Sequence, residues 1–192
     1  DGFNRLDTVY DSGSASPPLE HRYTYDANGN LESLTYSNGV THAWSYDSQN
    51  RLKDLTVRNT AFTTLNSYAY TLQASGHRSS VAESTGRTVS YTLDNHYRLT
   101  SETITGDPSV VNGTSDWEYD LVGNRLSQTS DISSVLNASE TYSANNWLDS
   151  DVYDANGNTT ASATYEAPVE TLSDTYDWRN RLIRREKADG TI

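Results

Sequence analysis

Tyr25-Asp26-Ala27-Asn28-Gly29-Asn30 is answered 21 residues further on by Tyr46-Asp47-Ser48-Gln49-Asn50-Arg51-Leu52. Both strings open on Tyr-Asp, but the first ends in Gly-Asn and the second in Asn-Arg-Leu. The Gly-Asn form returns as Tyr119-Asp120-Leu121-Val122-Gly123-Asn124 and as Tyr153-Asp154-Ala155-Asn156-Gly157-Asn158, with a looser copy running from Tyr70 to Arg78. The Asn-Arg-Leu form returns as Tyr176-Asp177-Trp178-Arg179-Asn180-Arg181-Leu182, and the opening Asp1 to Leu6 is a copy that lacks its Tyr. Degraded versions run from Asp94 to Leu99 and from Tyr142 to Leu148. The two forms alternate, so self-similarity is the primary signal in this chain.

The steps between motifs are mostly 21 to 26 residues, with one step of 11 between Tyr142 and Tyr153. A unit of that size holds two strands of ordinary length and two turns. Around each motif the side chains alternate as in a half-buried strand. Val40, His42, Trp44 and Tyr46 share one face while Thr41, Ala43 and Ser45 take the other. Asn28-Gly29, Asn38-Gly39 and Asn156-Gly157 predict type I′ turns, in which both central residues have positive φ. The Asp after each Tyr can accept a backbone N–H two residues on and start such a turn. Tyr therefore anchors a strand end and Asp turns the chain.

These features predict an all-β protein, an array of antiparallel β-hairpin repeats covering residues 1–192 in about nine motif copies. Nine motifs imply roughly 16 strands, and open twisted sheets beyond about 10 strands curl or split, so the expectation is a curved strip. Loops are expected at Ser12 to Pro18, at Gly106 to Ser115 and near Pro168, where Gly, Ser, Pro and Asn interrupt the alternation. The chain opens inside a motif and has no Met, which leads us to expect a fragment of a longer protein.

A net charge of −12 with modest hydrophobic content would fit disorder, but 14 Tyr and four Trp supply rings that bury while their polar ends stay wet. Two lysines and a pI near 4.6 argue against nucleic acid, whose binding relies on neutralising phosphates. No stretch of the sequence is apolar enough to span a membrane. With no cysteine there is no disulfide and no thiolate metal site.

The alternating strings resemble the RHS or YD-repeat proteins, found in bacterial polymorphic toxins, in the shell component of insecticidal toxin complexes and in animal teneurins. The resemblance spans nearly the whole chain. It implies a strip of hairpins forming part of a spiral β-shell, secreted or at the cell surface, that often encloses a C-terminal toxin. Its partners would be neighbouring repeats of the same parent chain and an enclosed effector. The Asp-Pro-rich motif that closes such shells is not seen, so toxin activity and self-cleavage are not carried over.

The motif residues Tyr25, Asp26, Gly29, Asn30, Tyr46, Asp47, Asn50, Arg51, Leu52, Tyr119, Asp120, Gly123, Asn124, Tyr153, Asp154, Gly157, Asn158, Tyr176, Asp177, Asn180, Arg181 and Leu182 are read as structural. The string Asp26 to Asn30 mimics a calcium loop, but its Gly stands fourth where an EF-hand needs it sixth, and no Glu follows at the twelfth position. His21, His42, His77 and His96 share no metal-ligand spacing. No Gly-x-Ser-x-Gly elbow or thiol nucleophile exists, so neither catalysis nor a cofactor is expected. Asn112, Asn137 and Asn158 head glycosylation sequons that a Ser- and Thr-rich chain produces by chance. Trp44, Trp117, Trp147 and Trp178 are the candidate glycan-stacking residues, with cross-strand packing as the plainer reading. The function implied is a non-catalytic shell segment. The alternative is an extracellular carbohydrate or cell-surface binding module, and sheet edges exposed in an isolated piece are expected to self-associate.

Overall fold

The computed structural model describes residues 1–11, 19–163, 171–187 and 190. Among these residues there is no helix, and the sixteen strands are β1 (Thr8–Asp11), β2 (Leu19–Tyr25), β3 (Leu31–Thr35), β4 (Thr41–Tyr46), β5 (Leu52–Arg58), β6 (Thr64–Leu72), β7 (Arg78–Glu83), β8 (Thr88–Leu93), β9 (Leu99–Thr105), β10 (Gly113–Tyr119), β11 (Arg125–Ser130), β12 (Ala138–Ser139), β13 (Val152–Tyr153), β14 (Thr159–Ala163), β15 (Thr171–Tyr176) and β16 (Leu182–Lys187). The chain divides into two compact units, Asp1–Leu93 with Glu102–Asn112, and Asp94–Ser101 with Gly113–Ile192.

In the first unit β1 to β8 pair antiparallel in chain order. In the second, β10, β11 and β12 do the same, and β13 to β16 form a four-stranded sheet, also in chain order. The fold is thus the antiparallel hairpin array that the repeats predict. Its alternation is visible in the register. Leu34, His42, Val57 and Asn66 stand side by side across β3 to β6, as do Trp44, Leu55 and Tyr68. The opposite face carries Thr24, Ser33, Ala43, Thr56 and Ser67.

The core is thin. Among the described residues the buried hydrophobics are Val81, Val89, Ile104 and Ile132, of which Val89 is fully buried. Stability therefore rests on cross-strand contacts over each sheet, of the kind that contribute a few tenths to about 1 kcal/mol per pair. On the apolar face of the first unit, Tyr36 meets His21 edge-on at 5.4 Å and His42 at 5.3 Å, and His42 continues to Trp44 at 5.9 Å. On the polar face hydroxyls pair across strands, as in Thr24 and Ser33 at 2.7 Å or Ser45 donating to Asp54 at 2.6 Å.

The turns correct one expectation. Gly29, Gly39 and Gly157 have φ of 89°, 80° and 83°, while Asn28, Asn38 and Asn156 are not left-handed. The Gly29 N–H donates to the Asp26 carbonyl at 3.0 Å and the Asp26 N–H to the Asn30 carbonyl at 2.9 Å. With the register shift after Thr24, this is a three-residue loop in which a type I turn is followed by one left-handed residue in a bulge, rather than a type I′ turn. At Gly29 and Gly157 the Asp carboxylate supports it by accepting the N–H groups two and four residues on, while at Gly39 the same backbone bonds form between Tyr36 and Val40 without an Asp. Of the expected loops, Gly106 to Ser115 is shorter than the sequence suggested, since β10 begins at Gly113. The other two, Ser12 to Pro18 and the one near Pro168, lie outside the described residues.

Candidate functional site

Most motifs are a turn whose first residue is Asp, with the Asp side chain closing it; Gln73 and Ser143 open the turns of two others. Asp47 Oδ1 accepts the backbone N–H of Gln49 at 2.8 Å and of Arg51 at 3.0 Å, and Oδ2 accepts Arg51 Nε at 2.7 Å. Asp26 does the same with Asn28 and Asn30, using the Asn30 side-chain amide at 2.9 Å where Arg51 uses its guanidinium. Asp154 with Asn158, Asp94 with Arg98 and Asp177 with Arg181 repeat the geometry. Asp120 with Asn124 does so too, at 2.8 Å for both bonds. The fourth position is left-handed throughout, as Gly in one form and as Asn50, Tyr97 or Asn180, with φ of 60°, 62° and 58°, in the other. The Gly-Asn and Asn-Arg-Leu strings are therefore one turn in two spellings.

This geometry sets the ionisation of the carboxylates. The Asn30 side-chain amide holds the Asp26 carboxyl below its ordinary range, against the opposing pull of desolvation. For Asp47 the Arg51 backbone N–H leads, followed after desolvation by the Arg51 guanidinium. Asp154 and Asp177 are lowered by the side chains of Asn158 and Arg181. In the strings Asp26 to Asn30 and Asp154 to Asn158 both carboxylate oxygens accept N–H groups of their own turn.

The motif residues also reach beyond their own turn. The Tyr hydroxyl points back and donates to the carbonyl of the residue that follows the preceding turn: Tyr25 to Leu6 at 2.8 Å, Tyr46 to Leu31 at 2.9 Å and Tyr119 to Leu99 at 2.9 Å. The residue closing the turn points forward. Arg51 Nη1 donates to the Gln73 carbonyl at 3.0 Å, and Arg98 Nη1 to the Asp120 carbonyl at 2.9 Å. The guanidinium carbon of Arg5 lies 4.3 Å from the centre of the Tyr25 ring, and that of Arg98 lies 4.7 Å from the centre of Tyr119. From the Gly-Asn turns, Asn30 Nδ2 reaches Asn50 Oδ1 at 2.9 Å, Asn124 reaches Asn146 at 3.0 Å and Asn158 reaches Asn180 at 3.0 Å. Within each unit successive motif turns are thus latched into a row. In the second unit the row runs from Asp94–Arg98 through Asp120–Asn124, Ser143–Trp147 and Asp154–Asn158 to Asp177–Arg181.

The structure brings together the residues read as motif, and adds Arg5, Arg98, Asn146 and the Leu6, Leu31 and Leu99 carbonyls. The available signal was the near-constant spacing from each closing residue to the next turn, 20 residues from Asn30 to Asn50 and 22 from Arg51 to Gln73. The four tryptophans have separate roles. Trp44 sits half-buried on the apolar face of β4, and Trp117 on β10 donates Nε1–H to Gln128 at 3.2 Å. Trp147 stacks on Tyr153 with ring centres 4.8 Å apart, whereas Trp178 is 82% exposed at a turn with Arg179 over its ring. Leu52 pairs with Tyr46 across the bulge, and Leu182 likewise with Tyr176. Of the sequon residues, Asn158 has its amide committed to Asp154 and Asn180.

Comparison with known proteins gives a match between residues 25–61 and the RHS repeat. No curated protein matches the chain. Among solved structures, the TcdB2-TccC3-Cdc42 crystal structure matches with a TM-score of 0.60 at 18% identity over 93% of this chain and 10% of that one. The TcdB2-TccC3 crystal structure matches with a TM-score of 0.61 at 19% identity over 91% of this chain and 10% of that one. The Tc holotoxin pore of Photorhabdus luminescens, carrying a point mutation in TccC3, matches with a TM-score of 0.60 at 17% identity over 91% of this chain and 9% of that one. The chain therefore spans about a tenth of the length of the solved chains it matches, and at this identity the likeness is one of fold.

Proposed function

We propose, on the RHS-repeat match over residues 25–61 and the shared fold, that the chain is a non-catalytic wall segment of a secreted RHS/YD-repeat shell enclosing or presenting a C-terminal effector. One observation carries the reading. The polar groups of the motif are consumed in closing each turn and in latching it to the turns before and after it, so the repeat acts as a connector. A connector of this kind suits a wall made of many hairpins, where no deep core exists and each repeat is held by its neighbours. Neighbouring repeats are accordingly the first partners of this segment. The likeness in fold to the TcdB2-TccC3 structures and to the Tc holotoxin pore supports a role in a toxin assembly.

The test is single-particle imaging of a longer chain that carries this segment. The expected result places the strands within a continuous wall, with one sheet face toward an enclosed volume; a segment standing apart as a separate lobe would overturn the reading. The exposure of Trp178 favours a second reading, a carbohydrate or cell-surface binding module. A glycan array separates the two: binding that is lost in Trp178→Ala supports the module, and an array without hits leaves the wall.

A further inference from the structure

Four Asn-Gly pairs occur, at Asn28, Asn38, Asn112 and Asn156, and the structure treats their side-chain amides differently. Asn-Gly is the dipeptide most open to succinimide formation, because glycine puts no side chain in the way of its own nitrogen. Asn28 Nδ2 donates to Asn50 Oδ1 at 3.0 Å, and Asn156 Nδ2 to Asn180 Oδ1 at 3.2 Å. Asn112 is held at both ends by the backbone of Asp107, accepting its N–H at 2.8 Å and donating to its carbonyl at 3.4 Å. Asn38 is exposed, and its Oδ1 accepts the Val40 N–H at 3.0 Å. Among the four, all within the described residues, Asn38 alone has an Nδ2 without a protein partner.

We infer that Asn38 is a site of spontaneous deamidation, the first in this chain to convert. The Gly39 N–H gives its proton to hydroxide and the nitrogen attacks Asn38 Cγ. The new C–N bond closes the succinimide while the Cγ–Nδ2 bond breaks and ammonia leaves. Water then opens the ring at either carbonyl, leaving aspartate or isoaspartate, so the net change is gain of water and loss of ammonia. The Gly39 N–H must first release the Tyr36 carbonyl, 2.8 Å away. The same release is needed at Gly29 and Gly157, whose N–H groups donate to the Asp26 and Asp154 carbonyls at 3.0 Å each. What separates the sites is the leaving amide, tied to a neighbouring turn at Asn28 and Asn156 and untied at Asn38.

The placement also separates the consequences. An aspartate at position 38 can still accept the Val40 N–H, so the turn survives. At 28 or 156 it would set a carboxylate against the Asn50 or Asn180 oxygen, acceptor facing acceptor, and weaken the latch.

Peptide mapping of the folded chain, incubated at body temperature and mildly alkaline pH with isoaspartate detection, tests this. Asn38 should convert about fivefold faster than Asn28 or Asn156, the ratio that one hydrogen bond of ordinary net strength imposes. The gap should close in denaturant. Asn50→Gly, which keeps the left-handed turn and removes the acceptor, should bring Asn28 up toward the Asn38 rate. Folded-state rates that are equal, a faster Asn28 or Asn156, or a gap that persists in denaturant would each overturn the assignment.

Discussion

The turn Asp47–Arg51 and the turn Ser143–Trp147 occupy equivalent places in two stretches of the array and are built from different residues. In the first, a carboxylate gathers two backbone N–H groups and a guanidinium at 2.7 to 3.0 Å. In the second, the Ser143 hydroxyl accepts the Asn145 and Trp147 N–H groups at 3.3 and 3.2 Å, and has no second oxygen to hold the closing residue. The forward reach survives in another form. Arg51 sends a guanidinium to the next turn, whereas Trp147 lays its ring on Tyr153 and against Gly157. The left-handed fourth residue is kept in both, with φ of 60° at Asn50 and at Asn146. The flanking strands differ as well. Six- and seven-residue strands flank the first turn, while the second is bracketed by a single bridge between Tyr142 and Leu148. The difference teaches that the constant elements are the backbone path of the turn and a closing side chain that covers the next turn. A guanidinium is one way to supply that cover, and a ring is another.

The largest effect should come from the covered glycine. At Gly157 an added Cβ would lie 3.1 Å from Trp147 Cζ2, and φ is +83°. Gly157→Val should cost more than the roughly 1 to 3 kcal/mol typical of strain at such a backbone position, because it also dislodges Trp147. Gly29→Val, where the nearest atom is the movable end of Arg5 at 3.6 Å, should stay within that range. Denaturant midpoints for the two variants measure the gap, and equal midpoints would show that Trp147 covers nothing of consequence.

Next in size, Trp147→Ala should cost about 2 kcal/mol, a partly exposed ring losing its contacts and its stacking partner. Trp147→Arg, which installs the residue used at positions 51 and 98, should recover most of this loss in thermal unfolding. If Arg rescues no better than Ala, ring and guanidinium are not interchangeable covers.

A smaller contrast separates the turn openers. Asp47→Ala should lower the unfolding midpoint by roughly twice as much as Ser143→Ala, since hydrogen bonds to an ionised acceptor are about twice as strong as neutral ones.

The smallest effect is on acid response. The folded-state pKa of Asp26, Asp47, Asp154 and Asp177 lies below the ordinary value of 3.8. The stability they contribute is therefore fully present above that value, and is lost as pH falls below it through the lower folded value. Hydrogen exchange at the Arg51 amide should quicken across that window, after correction for intrinsic exchange. Exchange at the Trp147 amide, bonded to a hydroxyl, should not. Parallel behaviour of the two amides would mean that acid acts through the sheet as a whole.

Much of this was legible in the residues. The Tyr-Asp recurrence marked the ends of β2, β4, β10, β13 and β15, the period-two alternation around Trp44 named the two faces, and the glycines stood where left-handed backbone is needed. The type of turn was misread because Asn-Gly alone favours a type I′ hairpin. At Asn28 and Asn156 the preceding Asp opposes that preference by gathering N–H groups two and four residues on, and at Asn38, where Tyr36 opens the turn, the Asn38 side-chain oxygen accepts the Val40 N–H instead. The exchange of Arg for Trp at position 147 looked like decay of the motif, because its covering role is visible only against Gly157 and Tyr153.

By itself, then, the sequence determined the repeat, the antiparallel hairpins and the place of each turn, since these follow from local backbone preference and side-chain alternation over a few residues. Only the tertiary structure decided which turns touch. Tyr25 meets the Leu6 carbonyl, Asn30 meets Asn50 and Arg98 meets Asp120 across 19 to 22 residues of chain. Those meetings depend on strand register, which sets whether two turns stand side by side, and register is fixed by the pairing of whole strands rather than by any one residue.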